Sequence, residues 1–310
     1  MTPQENTTMI KNLANAHGFI LAGVAGARKL EEEHNHLNEW LDAGYHGDMM
    51  YMARNKELRL DATLLVPGAK TVICLAYNYY SHRDSTEGIP KIAMYAKGKD
   101  YHKVLKKKLK LLWTDIKEAI NINAVGRYFV DSAPVMERQW AELAGLGWTG
   151  KNTLLINPKL GSYFFLAEII CDIETVPDVP IKDHCGTCTK CIDACPTEAI
   201  DKSGYLLKAN QCISYFTIES RSEIPVEYHS ALEGWLFGCD ICQQVCPWNR
   251  FSTEQKSDSF EAGIEFQKLT YEKWMEMTKE EFEDTLDKTP IKRMGYDRMK
   301  RVLHLLRSNK

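Results

Sequence analysis

The spacing of the cysteines constrains this chain more than any other feature. Of its ten cysteines, eight lie between residues 185 and 250. The first run reads Cys185-x2-Cys188-x2-Cys191-x3-Cys195-Pro196. Three thiolates in so short a loop can reach three irons of one cubane, while the fourth, on the following turn, points to another cluster. The proline after it fixes the backbone and removes an N–H there. A permuted second set follows: Cys212, then Cys239-x2-Cys242-x3-Cys246-Pro247, with 27 positions separating Cys212 from Cys239. Crossing the two Cys-Pro residues gives two sets of four. Cys185, Cys188, Cys191 and Cys246 would hold one [4Fe–4S] cluster, and Cys195, Cys212, Cys239 and Cys242 the other. The competing reading is a pair of structural zinc sites, which favour Cys-x2-Cys pairs well separated in sequence. Three cysteines within seven residues, followed by Cys-Pro, depart from that pattern. Cys74 and Cys171 lie in apolar segments and read as small buried hydrophobes.

The 310 residues suffice for about two domains. Residues 19–26, 70–80 and 162–173 read as strands, and 126–134 as a strand followed by a turn. Residues 30–44, 101–120 and 135–145 read as helices. Within 101–120, Leu105, Leu109, Leu112, Ile116 and Ala119 form an apolar stripe, and Lys103, Lys107, Lys110 and Lys117 a basic one. The alternation predicts an α/β or α+β domain with one central sheet. Two prolines and two aspartates in residues 175–184 mark a linker or rim, and residues 251–310 read as helical.

Charge is segregated. Residues 254–287 carry four Lys against eleven acids, whereas 288–310 carry eight Lys or Arg against one acid. Residues 91–110 form a second basic stretch, with eight Lys and one acid. Such runs are usually solvated helix faces, but Lys and Arg facing phosphates give salt-dependent affinity without reading sequence. The net charge of -3 excludes nucleic-acid binding by gross charge alone. No apolar run approaches the ~18 residues of a membrane span, and no signal peptide is visible. Cysteine-rich and without an export signal, the chain is expected to be cytoplasmic with reduced thiols. Gly-x-Gly-x-x-Gly, P-loop and His-Glu-x-x-His motifs are absent.

Five stretches carry a resemblance over nearly the whole chain: YAKGKDYHKVLKKKL (95–109), VDSAPVMERQWAELAGLGWTGKNTLLINPKLGSYFFLAEI (130–169), CGTCTKCIDACPTEAI (185–200), CISYFTIE (212–219) and GCDICQQVCPWN (238–249). The sequence resembles the epoxyqueuosine reductases, cobalamin-dependent iron–sulfur enzymes of tRNA queuosine synthesis. The long central block is specific, since ordinary ferredoxins lack it. The resemblance implies an α+β chain: a nitroreductase-like α/β domain (1–175) fused to a ferredoxin-like domain with two [4Fe–4S] clusters (176–250), then a helical C-terminal segment (251–310) as a candidate tRNA contact. It implies base-off cobalamin between the first two domains, an external electron donor, and reduction of the wobble-position epoxide to a cyclopentene. Members with extra C-terminal helical repeats exist, and none are seen here. A monomer is expected.

By the same resemblance, Asp131 is the proton donor to the opening epoxide, which requires burial to raise its pKa. The plainer role for Asp131 or Ser132 is to cap the following helix. Cobalamin contacts are implied at Arg54, Met94, Asp131, Lys151, Leu155, Leu166, Ser214, Cys239 and Asp240, with Met94 otherwise a packing residue. Preferred tRNA contacts are Arg221, Lys292, Arg293 and Arg298. Three other functions compete: a related corrinoid reductase of small molecules (dehalogenase-like), an electron-transfer module, and a zinc-binding adaptor.

Overall fold

The computed structural model describes residues 1–81, 88–255 and 265–308. Four strands form the central sheet: β1 (Leu21–Gly26), β2 (Thr71–Asn78), β3 (Gly126–Phe129) and β4 (Phe164–Cys171). Their order is β1-β2-β4-β3, antiparallel throughout, with Thr71 opposite Cys171 and Phe129 opposite Glu168. The two central strands are almost wholly buried because helices cover both faces.

Helices α1 (Pro3–Ala16), α2 (Glu31–Asp42), α3 (Tyr101–Ala119) and α4 (Glu137–Leu143) flank the sheet. On one face Leu105, Leu109, Leu112 and Ile116 of α3 pack with Ile10 of α1 on Ile73, Leu75 and Ile169. The predicted stripe holds at these four leucine and isoleucine positions. Ala119, last in the helix, is exposed, and Trp113 joins the core instead. On the other face Leu37 of α2 and Trp140 and Ala141 of α4 pack with Val72, Cys74 and Ile170. Cys74 and Cys171 are both fully buried, one in each core.

Residues 174–184 form no helix or strand, and Asp178 stitches them to β1 and α1. Its carboxylate accepts the Val24 N–H at 2.8 Å and pairs with Lys11 at 2.5 Å. Further on, α5 (Ile213–Ile218) and β5 (Trp235–Phe237) share one core with α6 (Tyr271–Glu276), α7 (Lys279–Leu286) and α8 (Tyr296–Ser308). A capping box starts α7: Thr278 Oγ1 accepts the Glu281 N–H at 3.2 Å, and the Glu281 carboxylate accepts the Thr278 N–H at 2.7 Å. Among the described residues no helix is long and apolar enough to cross a membrane.

Candidate active site

Asp131 follows β3 on a loop and takes left-handed backbone geometry, with φ of 54°. A residue with a Cβ pays about 1–2 kcal/mol for this conformation, although Asp tolerates it better than most. The local contact that holds it is the Asp131 N–H, which donates to Glu137 Oε1 at 2.5 Å. Asp131 therefore does not cap α4; that helix has no side-chain cap hydrogen bond.

Residues far apart in sequence meet at the Asp131 carboxylate. His102, on the first turn of α3, places Nε2 at 2.9 Å from Asp131 Oδ2 and Nδ1 at 2.8 Å from Asp100 Oδ1. Both ring nitrogens face carboxylates, so both must donate, and the ring is an imidazolium. Burial alone would lower the His102 pKa, but the bonds to Asp100 and Asp131 reverse this and push it up to about 9. Burial works to raise the Asp131 pKa, yet the His102 hydrogen bond and charge, with help from Arg293, hold it below its ordinary value. The expectation that burial raises Asp131 is therefore corrected: its oxygens stay ionised and the stored proton sits on His102. The motif YAKGKDYHK contained His102, but nothing local to that motif showed that Asp131, 29 positions later, would meet it.

A cavity of about 310 Å³ lies between residues of the central sheet and the cysteine-bearing segment, and neither His102 nor Asp131 is among the residues lining it. Leu155, Leu166 and Phe164 line one side, and Cys195, Cys212, Cys239 and Cys242 the other. The Tyr101 hydroxyl reaches the Asp131 carboxylate, and the Tyr101 ring meets Tyr95, on the cavity wall, at 6.1 Å. The wall is apolar, but Asn152 lines it with a buried Nδ2 that has no hydrogen-bond partner. Asp240 lines it too; its carboxylate accepts the Met94 N–H at 2.7 Å, and burial pushes its pKa up to about 6. Thr153, another wall residue, has φ of 63°, and its carbonyl accepts from Arg138 Nη1.

The cysteine thiols sort by neighbour. Burial first, then the Cys185 and Cys246 thiols, push Cys191 up to about 11, and Cys246 rises through burial and through Cys185 and Cys188. Burial also raises Cys239, whose neighbours are Cys212 and Cys195, and Cys242, whose neighbours include Cys212 and Cys239. Cys242 also feels Cys191, across the two groups. Backbone N–H groups two or three residues on point at several of the sulfurs: Ser214 and Tyr215 at Cys212, Ile241 at Cys239, Trp248 and Asn249 at Cys246. The Trp148 indole N–H is buried without a nitrogen or oxygen partner and faces the Cys185 sulfur. Sulfurs ringed by N–H donors suit a cluster, whose potential such donors tune. Among the described residues no three His, Cys, Asp or Glu side chains gather as a single ion would need, and a cubane holds its thiolates further apart than zinc does.

Comparison with known proteins agrees with this geometry. A family model described as a 4Fe-4S double cluster binding domain matches residues 184–249, and one for epoxyqueuosine reductase QueG matches residues 59–132. An epoxyqueuosine reductase of Cyclobacterium marinum is 47% identical over 99% of this chain and 98% of its own length. The chain belongs to the epoxyqueuosine reductases. It is an oxidoreductase, and it carries the 4Fe–4S domain of that family. Two solved epoxyqueuosine reductases share the fold. One, crystallised with a tRNA-Tyr epoxyqueuosine-modified stem loop, is 30% identical with a TM-score of 0.91, covering 98% of this chain and 81% of that one. The other, from Bacillus subtilis and solved with its catalytic aspartate loop swung out of the active site, is 29% identical with a TM-score of 0.89, covering 98% and 82%.

In this epoxyqueuosine reductase the remaining candidates are spread out. Leu155, Leu166, Ser214, Cys239 and Asp240 line the main cavity. Met94 lines a small adjoining pocket with Tyr79 and Tyr95, and its sulfur accepts the Ser81 N–H at 3.4 Å. Lys151 crosses over Gly204 and donates to the Gly186 and Cys188 carbonyls at 2.7 and 3.1 Å, so it staples the first cysteine loop. Arg54 is exposed in the turn before Asn55 and is not among the residues lining the cavity. Arg293 pairs with Glu219 at 2.6 Å and faces Asp131 and Tyr51. Arg298 donates to the Ile218 carbonyl, and Arg301 donates to the carbonyl of Arg221 at 3.4 Å. Lys292 is bound to Asp287 and Glu283 at 2.6 and 3.2 Å.

Proposed function

We propose that this chain reduces the epoxide of epoxyqueuosine at the tRNA wobble position, with two [4Fe–4S] clusters, cobalamin in the cavity, and Asp131 delivering a proton. Two electrons and two protons enter; both epoxide C–O bonds are lost, a C=C bond forms, and water leaves. The observation that carries this reading is the His102–Asp131 pair, joined through Tyr101 to Tyr95 on the wall of a cavity lined by the cysteines of one proposed cluster. The tRNA-bound relative supports the substrate.

The apolar wall and the unpartnered Asn152 Nδ2 suit one face of a corrinoid edged with amides, only part of which a cavity of about 310 Å³ can enclose. Leu155, Leu166, Ser214 and Asp240 would hold it, between a nitroreductase-like first domain and the cluster domain. When bound it would supply a low-potential cobalt for the two-electron reduction. The protein's part is protonic. His102 gives its Nε2 proton to Asp131 as the alkoxide develops, and Asp131 passes it to the oxygen. Cys185, Cys188, Cys191 and Cys246 on one side, and Cys195, Cys212, Cys239 and Cys242 on the other, would bind the clusters that carry electrons from an external donor. Arg221, Lys292, Arg293 and Arg298 are the candidate tRNA contacts, of which Arg293 faces Asp131 and Tyr51.

The test is anaerobic. The protein is reconstituted with iron, sulfide and cobalamin, reduced, and given tRNA bearing epoxyqueuosine; digested nucleosides are weighed. Loss of one oxygen, dependent on cobalamin, is expected, with Asp131→Asn keeping clusters and corrinoid but losing about 10²–10⁴-fold in turnover. No oxygen loss with all cofactors loaded overturns the substrate, and full turnover of Asp131→Asn overturns the donor.

A further inference from the structure

Behind the Asp131 loop lies a second pair of acids that the reaction above does not use. Glu168, in the middle of β4, is 0% exposed; no N–H or hydroxyl donates to either of its carboxyl oxygens, and the Glu137 carboxyl is the side chain within hydrogen-bonding reach of it. An ionised carboxylate so placed is untenable unless neutralised. The group acting on it most, after burial itself, is the Glu137 carboxyl at the start of α4. Glu137 is half-buried, and one of its oxygens already accepts the Asp131 N–H at 2.5 Å.

The surroundings offer little other charge. Cys74 stands opposite Glu168 across the sheet, and burial raises its thiol well above the ordinary range, so it stays neutral. Asp131 adds negative charge from the loop, and Tyr101 on α3 feels Glu137 with its own hydroxyl held neutral by burial. Arg138, beside Glu137, and Arg59, from residues 56–60, are the cations that feel Glu137. Neither is an ion-pair partner of Glu168. One proton between the two carboxyls satisfies the pair, and both acids are displaced upward from their ordinary range in keeping with that.

We propose that Glu137 and Glu168 are positioning residues: one proton held between them keeps the two carboxyls together, and Glu137 thereby holds the Asp131 backbone in the left-handed conformation that aims its carboxylate at His102. The proposal rests on Asp131 as the acid of this site. Breaking the latch frees the loop to move away from His102 without touching any group that contacts substrate.

Hydrogen exchange and infrared spectra of the reconstituted holoenzyme test it, alongside turnover. In Glu137→Ala, which has no acceptor, the Asp131 amide should exchange about tenfold faster or more. Turnover should fall by about 10²-fold at unchanged KM. Glu137→Gln keeps a carbonyl oxygen for the Asp131 N–H and should restore both readouts most of the way. A protonated-carboxyl stretch in the infrared spectrum at neutral pH should vanish in Glu168→Gln. Cluster absorbance and corrinoid retention establish that each variant is folded. Unchanged exchange at Asp131 in a folded Glu137→Ala protein, or no infrared difference for Glu168→Gln, overturns the latch. Full turnover of Asp131→Asn together with the expected exchange pattern would remove the donor reading and still leave the latch in place.

Discussion

A histidine between two carboxylates differs from a buried acid as a proton source. A protonated aspartate would need its charge suppressed, whereas His102 is charged because Asp100 and Asp131 stabilise it. Its pKa is raised on folding, so the pair's contribution is fully present below the unfolded value of about 6.5 and is lost as pH rises through about 9. Asp131 is shifted the other way and stays ionised down to acid pH. We therefore expect kcat/KM to fall as pH rises through about 9. His102→Gln should remove that limb and lower the plateau by about 10²-fold. A pH profile of both proteins checks this, and an identical alkaline limb in the variant would assign the titration to another group. At this scale the sequence showed Asp131 but not its partners. His102, Glu137 and Glu168 are ordinary letters until β3, α3, α4 and β4 are packed together. Only the cysteines announce themselves, because their spacing alone is chemical information.

The strands and helices of the first domain were legible because β-branched runs and the 3.6-residue period are local signals. Their antiparallel order was not, since pairing β2 with β4 joins residues about a hundred positions apart. The junction between sheet domain and cluster segment was equally hidden. Asn249, three residues beyond Cys246, accepts the Ser162 N–H at 2.7 Å and donates to the Gln243 carbonyl at 2.7 Å. Gly161 makes that approach possible: its φ is +71°, and a Cβ there would sit 2.1 Å from Asn249 Oδ1. Gly161→Ala should push the two units apart just where the second Cys-Pro turn begins. Losing these bonds should cost about 1–3 kcal/mol. Thermal unfolding and iron content check it: a lower melting temperature with faster cluster loss is expected, and wild-type values for both would show that the junction yields without harm.

On the scale of the whole molecule, the fold brings together charge that the sequence keeps apart. The basic stretches at 91–110 and 288–310 meet where the Asp100 N–H donates to the Lys288 carbonyl at 2.7 Å. Asp100 also anchors His102, so this seam runs to the proton source itself. Lys99, Lys103 and Lys288 are exposed along it, whereas Lys292 is engaged with Glu283 and Asp287 and Arg293 with Glu219. Raw counts of eight basic residues in each stretch therefore overstate what a phosphate backbone would meet. Contacts from the three exposed lysines would steer an anticodon stem loop toward the cavity without reading its sequence. Replacing all three by Ala should weaken stem-loop binding and flatten its salt dependence by about two units in the log–log slope. Epoxide reduction at saturating tRNA should change far less, because none of the three touches the His102–Asp131 pair. Binding titrations at several salt concentrations check this. An unaltered slope would move the tRNA path away from the seam, toward Arg221 and Arg298.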